Sequence, residues 1–105
     1  MARHLVLLTF LLLGLGALAQ DSYIVAGIVV EGNKRTQERI ILRELTIHEG
    51  DTLSSEELYA RMERSRQNLM NTSLFNQVTL LPTYLPGNEV FVNVQVNERW
   101  YLWPA

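Results

Sequence analysis

The chain has 105 residues, enough for one modest domain; 48% of them are apolar and 19% are charged. That balance is too apolar for a disordered chain, and a formal net charge of −2 provides no basic face for nucleic acid. Zero cysteines exclude a disulfide scaffold, a thiolate metal site and a cysteine nucleophile, and two histidines are too few for an ordinary zinc enzyme.

The opening Met1-Ala2-Arg3-His4 is short and positive. An apolar run from Leu5 to Leu13 follows, then Gly14-Leu15-Gly16 and Ala17-Leu18-Ala19. A charged start, an apolar centre and small residues before the cut predict a signal peptide over residues 1–19, leaving a chain that starts at Gln20. The run falls short of the ~20 apolar residues that span a bilayer. Residues 14–19 also match G-x-G-x-x-A, but no strand precedes them, so the dinucleotide reading fails its context. Removal of Arg3 with the leader changes 9 basic residues to 8 against 11 acidic ones, a net charge near −3. The protein is expected to be exported.

Tyr23 to Glu31 is rich in Ile and Val, with Ile24, Ala26, Ile28 and Val30 at period two, and reads as a well-covered strand. Gly32-Asn33 closes it with residues that tolerate a left-handed backbone. Thr36 is the expected cap of a short helix whose Ile41 and Leu45 share a face. Ser54 and Glu57 form a capping-box pattern that opens a second helix, with Leu58, Met62 and Leu69 on one stripe and a Glu57–Arg61 pair at i,i+4. Asn71-Thr72-Ser73 ends it.

Phe75 to Thr83 reads as a second strand, with Val78 and Leu80 on one face and Gln77 and Thr79 on the other. After the turn residues Leu85-Pro86-Gly87-Asn88, Val90, Val92, Val94 and Val96 alternate with Phe91, Asn93, Gln95 and Asn97. The expected fold is α+β, in the order β-α-α-β-β, with two helices packed on a small three-stranded mixed sheet.

Chemistry-bearing patterns are incomplete. His48-Glu49 starts an H-E-x-x-H, but position 52 is Thr. A loop that holds Glu49 and Asp51 offers no burial to raise a carboxyl pKa for acid–base work. Gly32-Asn33-Lys34-Arg35-Thr36 between strand and helix lacks the second Gly of a phosphate loop. No cofactor, metal or small-molecule substrate is expected. The feature that stands out is Trp100-Tyr101-Leu102-Trp103, three aromatics in four residues, a cluster suited to a partner or a membrane interface.

Taken in order, the apolar strand with Val25, Ile28 and Val30, then Gly32-Asn33-Lys34-Arg35-Thr36, Leu45, Gly50-Asp51-Thr52-Leu53-Ser54, Ser73-Leu74-Phe75-Asn76-Gln77-Val78 and the closing valines form a pattern. It resembles the POTRA domain of BamA/TamA-like outer-membrane assembly proteins over residues 23–99, within an expected domain of 20–99. Asn71-Thr72 stands where many members carry a Gly.

The resemblance implies a periplasmic scaffold rather than a catalyst. Such a scaffold holds unfolded outer-membrane protein chains, assembly subunits or neighbouring POTRA domains by strand addition at a sheet edge. By the same resemblance the second strand is the edge, with Gln77, Thr79 and Leu81 framing the contact. Residues 100–105, with Trp100, Tyr101 and Trp103, look like the exit toward a barrel. Members carry that barrel after the POTRA region, and the sequence reaches Ala105 before any barrel strand, so a longer protein is expected. The alternative is a stand-alone exported cell-envelope module that uses the aromatic segment as its contact.

Overall fold

The computed structural model describes residues 22–99. Over that span the chain runs β1 (Ser22–Glu31), α1 (Glu38–Glu44), β2 (Thr52–Ser54), α2 (Ser55–Asn71), β3 (Phe75–Leu85) and β4 (Glu89–Glu98). The expected signal peptide (1–19) and aromatic exit (100–105) lie outside the described residues.

The sheet has four strands in the order β2-β1-β4-β3, where three were expected. The additional strand is the three-residue β2, which pairs antiparallel with Ser22, Tyr23 and Ile24. It is too short to leave a periodic signal, and its last residue, Ser54, is also the N-cap of α2. β1 and β4 are parallel neighbours although the chain between them passes through both helices, β2 and β3, and β3 and β4 form an antiparallel hairpin.

The alternation in β4 matches the burial. Val90, Val92 and Val94 are fully buried and Val96 nearly so, facing Ile41, Leu58, Met62 and Leu69 of the helices, while Asn93, Gln95 and Asn97 lie on the other face. In β1 the expected even-numbered period holds for only half the strand. Val25 is buried and Ile24 is 47% exposed, whereas Ile28 and Val30 pack on the core. A bulge accounts for the switch: Val25 pairs with Val90 and Gly27 with Phe91, so Ala26 is an extra residue that exchanges the two faces.

Helix ends follow local hydrogen bonding. Ser54 Oγ accepts the Glu57 N–H at 3.1 Å, the first half of the expected capping box, while the Glu57 carboxylate contacts the same hydroxyl at 3.2 Å. The Glu57–Arg61 pair does not form; Arg61 reaches Asp51 at 3.6 Å and the Thr46 carbonyl at 3.3 Å. α1 is capped by Gln37, with no side-chain bond, rather than by Thr36. The Thr36 hydroxyl is instead drawn to the carboxylate of Glu98.

Candidate functional site

β3 is an edge strand of eleven residues, with β4 on one side and no strand on the other among the described residues. Its odd residues Gln77, Thr79 and Leu81 stand opposite Asn97, Gln95 and Asn93, on the face away from the helices. The structure thus brings together the three residues expected to frame a contact, and Leu81 is 50% exposed. Trp100, Tyr101 and Trp103 lie outside the described residues.

Side chains and backbone must be separated here. Pro82 has no N–H, yet it pairs in register with Val92 without breaking the ladder, so β3 residues in phase with Pro82 turn their main-chain groups away from β4. The pairing end agrees: the Arg99 N–H donates to Leu74 O at 2.9 Å, which after the bulge between Phe75 and Gln77 gives the inward bonds to the odd residues. The open edge is therefore formed by the N–H and C=O groups of Val78, Leu80 and Tyr84, with only a carbonyl from Pro82. Thr79 and Leu81 spend theirs on β4. The sequence places Gln77, Thr79 and Leu81 on this strand; the parity of its backbone is set by the register with β4.

The helix-side flank of the edge is a shallow cavity of about 60 Å³ between α2 and β3, lined by Tyr59, Met62, Glu63, Arg66 and Leu80. Tyr59 is 71% exposed. Arg66 Nε lies 3.1 Å from Glu63 Oε2, and this hydrogen bond holds the Glu63 carboxyl below its ordinary value and raises the Arg66 guanidinium. Farther along the edge Tyr84 tilts against Tyr23, ring centroids 5.1 Å apart. On the outer face the Asn93 amide donates to Thr83 Oγ1 at 2.7 Å and to the Leu81 carbonyl at 3.3 Å.

The loop residues weighed as catalytic candidates serve the fold. Asp51 Oδ2 accepts the His48 N–H at 2.8 Å and lies 3.8 Å from His48 Nδ1, closing the turn into β2. Among the described residues no group of three His, Asp or Glu gathers as a metal site, and no helix is long and apolar enough to cross a membrane, which says nothing of a β-barrel.

A family model described as POTRA, surface antigen variable number repeat, matches residues 23–99. The chain belongs to the POTRA family. It is 36% identical over 74 residues to the outer membrane protein assembly factor BamA of Nitratidesulfovibrio vulgaris, covering 69% of this chain and 9% of that protein. The N-terminal domain of Omp85 from Thermosynechococcus elongatus superposes with a TM-score of 0.61 at 19% identity, over 75% of this chain and 32% of the other. POTRA domains 3–5 of Haemophilus influenzae BamA give the same TM-score, 0.61, at 24% identity, over 72% of this chain and 29% of the other. These two likenesses show the POTRA fold; the chain spans about a tenth of the length of its BamA relative.

Proposed function

We propose that this POTRA domain is an exported, periplasmic scaffold of an outer-membrane protein assembly or translocation factor, and that it holds unfolded outer-membrane protein chains by strand addition along β3. Assembly subunits and neighbouring POTRA domains are the other partners of this reading, and residues 100–105 continue toward a membrane barrel. The observation that carries it is the free row of main-chain groups at Val78, Leu80 and Tyr84 on an eleven-residue edge. An extended chain that pairs there gains hydrogen bonds whatever its sequence, as a scaffold for varied clients requires. Support for the setting comes from family membership and from the assembly-factor relative.

The test is a binding titration of a barrel-strand peptide against Leu80→Pro, with Leu80→Ala as the packing control. Proline at 80 removes an outward N–H as Pro82 already does, without taking a bond from β4. Leu80→Pro is expected to weaken binding about tenfold relative to Leu80→Ala, the scale of one or two main-chain hydrogen bonds and a local clash. Equal affinity in the two variants would sink the edge model. Deletion of residues 100–105 separates the alternative envelope module: that module loses its partner, whereas the β3 edge keeps it.

A further inference from the structure

Both helices pack on one face of the sheet, against Val25, Val78 and the valines of β4, and among the described residues no element covers the other face. Pairing places Ile24 and Val29 of β1, Phe91 of β4 and Leu81 of β3 on that bare side. Ile24 and Leu81 are about half exposed, and Val29 is 40% exposed. Between Ile24 and Val29 stands Gly27, where a Cβ would lie 2.6 Å from the Phe91 ring. The ring therefore fills the gap that the glycine leaves, and the apolar surface is continuous along β1.

The composition of β1 suits cover on two sides. Tyr23 to Val30 is a run of apolar residues and one glycine, the pattern of a strand buried on both faces, yet only its helix side is covered. The bare surface is limited in extent. Toward the end of β4 it turns polar, where Gln77, Thr79, Gln95 and Asn97 line a cavity of about 200 Å³. From the Ile24 row to the Val29 row it runs ~13 Å, and from β1 to β3 it is ~10 Å wide. That is the width of one helix and too narrow for a second sheet. β4 is paired on both sides, so what this face offers a partner is side chains, not main-chain groups.

Charge on this face has one sign. Glu89 stands opposite Ile24, and Glu31 lies two residues beyond Val29, opposite Gln95. The two carboxylates thus bracket the apolar strip, ~20 Å apart along the strands. The outward positions of β1, β3 and β4 hold no Lys, Arg or His, and neither glutamate is in an ion pair among the described residues. We infer that this face docks an amphipathic helix of a partner protein, about four turns long, with an apolar stripe and Lys or Arg at both ends. The stripe packs on Ile24, Val29, Phe91 and Leu81, and the terminal cations meet Glu31 and Glu89. Acid at both ends of the strip is what selects a basic helix over an acidic one. Docking of this kind spends no edge group, so it is independent of pairing along β3 and available at the same time.

The experiment titrates the full chain with a labelled helical peptide of about 18 residues, long enough to hold a helix, with a leucine stripe and two lysines at each end. A counterpart with glutamates at the ends is the control. Fluorescence anisotropy gives affinity, and amide and methyl NMR shifts give the place. The lysine-ended peptide is expected to shift Ile24, Val29 and Leu81, and to bind about tenfold more weakly to the double variant Glu31→Lys, Glu89→Lys. The glutamate-ended peptide should reverse that preference. Val29→Thr with Leu81→Thr, both compatible with strands, should weaken binding of either peptide, and Leu80→Pro should leave it unchanged. Shifts confined to Val78, Leu80 and Tyr84 overturn this inference and leave the proposed function standing. No binding, or an affinity indifferent to the charge reversal, overturns it as well. Shifts at Ile24 and Val29 that grow with protein concentration in the absence of peptide identify a second copy as the occupant and overturn the one named here.

Discussion

The carboxylate of Glu98 accepts the Thr36 hydroxyl at 2.9 Å and the Thr36 backbone N–H at 2.8 Å, joining the last residue of β4 to the loop between β1 and α1. The Arg35 N–H adds bonds of 2.9 and 3.1 Å to the same carboxylate. Glu98 is 8% exposed, so this loop, whose composition faintly suggests a phosphate cradle, cradles an anion supplied by the protein itself. The consequence is mechanical. The Glu98 clamp and the Arg99 N–H bond to Leu74 O pin the end of β4 to the β1–α1 loop and to the start of β3.

Removal of the anion leaves the part-buried donors of Arg35 and Thr36 without this acceptor. Glu98→Ala is expected to destabilise the fold by about 2–4 kcal/mol, and Glu98→Gln, which keeps one acceptor oxygen, by roughly half as much. Urea midpoints of the two variants check the order. A Glu98→Ala loss below about 0.5 kcal/mol, the scale of a neutral surface change, would remove the clamp from the list of stabilising features.

The same carboxylate gives stability a pH dependence. Burial is the largest influence and pushes the Glu98 carboxyl up, but the bonds from the Thr36 hydroxyl and from the backbone of Thr36, Arg35 and Lys34 together outweigh it and leave the pKa below its ordinary value. A folded-state pKa below the unfolded one means that the ionised group stabilises the fold above the usual carboxylate range near ~4.3. That contribution is lost as pH falls through the folded value. The urea midpoint should therefore drop more steeply below about pH 4 in the parent than in Glu98→Gln. Glu63→Gln, which removes a surface carboxylate paired with Arg66, should leave the slope nearly parental.

Two glycines with nearly the same φ differ in what surrounds them. Gly32 has φ +90° and Gly50 φ +92°, but a Cβ at Gly32 would lie 2.0 Å from the Val96 carbonyl oxygen, while nothing stands within 4 Å at Gly50. Gly50→Ala should cost about 1 kcal/mol, the strain of a left-handed alanine. Gly32→Ala adds a collision with main chain beside the Glu98 clamp and should cost about 3 kcal/mol or more. Thermal unfolding of the pair measures the difference, and equal losses would contradict the close approach.

The legible parts of this fold were those where one periodicity dominates. The valines of β4, spaced by Phe91, Asn93 and Gln95, stand out at period two and are all buried, and Leu58, Met62 and Leu69 mark the inner stripe of α2. β1 is harder to read: nearly every residue from Tyr23 to Val30 is apolar, so period two fits either face and nothing marks the bulge at Ala26. The Glu98 clamp joins residues 62 apart in sequence, which no local pattern reports. As for the candidate site, alternation placed Gln77 and Thr79 on the outer face and the family resemblance placed their strand at the edge. Which backbone groups stay free depends on pairing parity, and Pro82 was the residue that carried that information.

The inner stripe of α2 also contains a polar residue that hydropathy passes over. Ser65 is fully buried, and its hydroxyl accepts the Thr46 N–H at 2.9 Å while the Thr46 hydroxyl donates to Arg61 O at 3.0 Å. This pair ties the loop after α1 to the middle of α2. Ser65→Ala removes the acceptor and leaves the Thr46 N–H unsatisfied, at an expected cost of about 1–3 kcal/mol. Thr46→Val keeps the backbone donor and loses only the hydroxyl, so it should cost less. A double-mutant cycle in urea should give a coupling of about 0.5 kcal/mol or more between the two sites. Strict additivity would mean that the two hydroxyls, 3.1 Å apart, act independently and that Ser65 serves the loop through the Thr46 N–H.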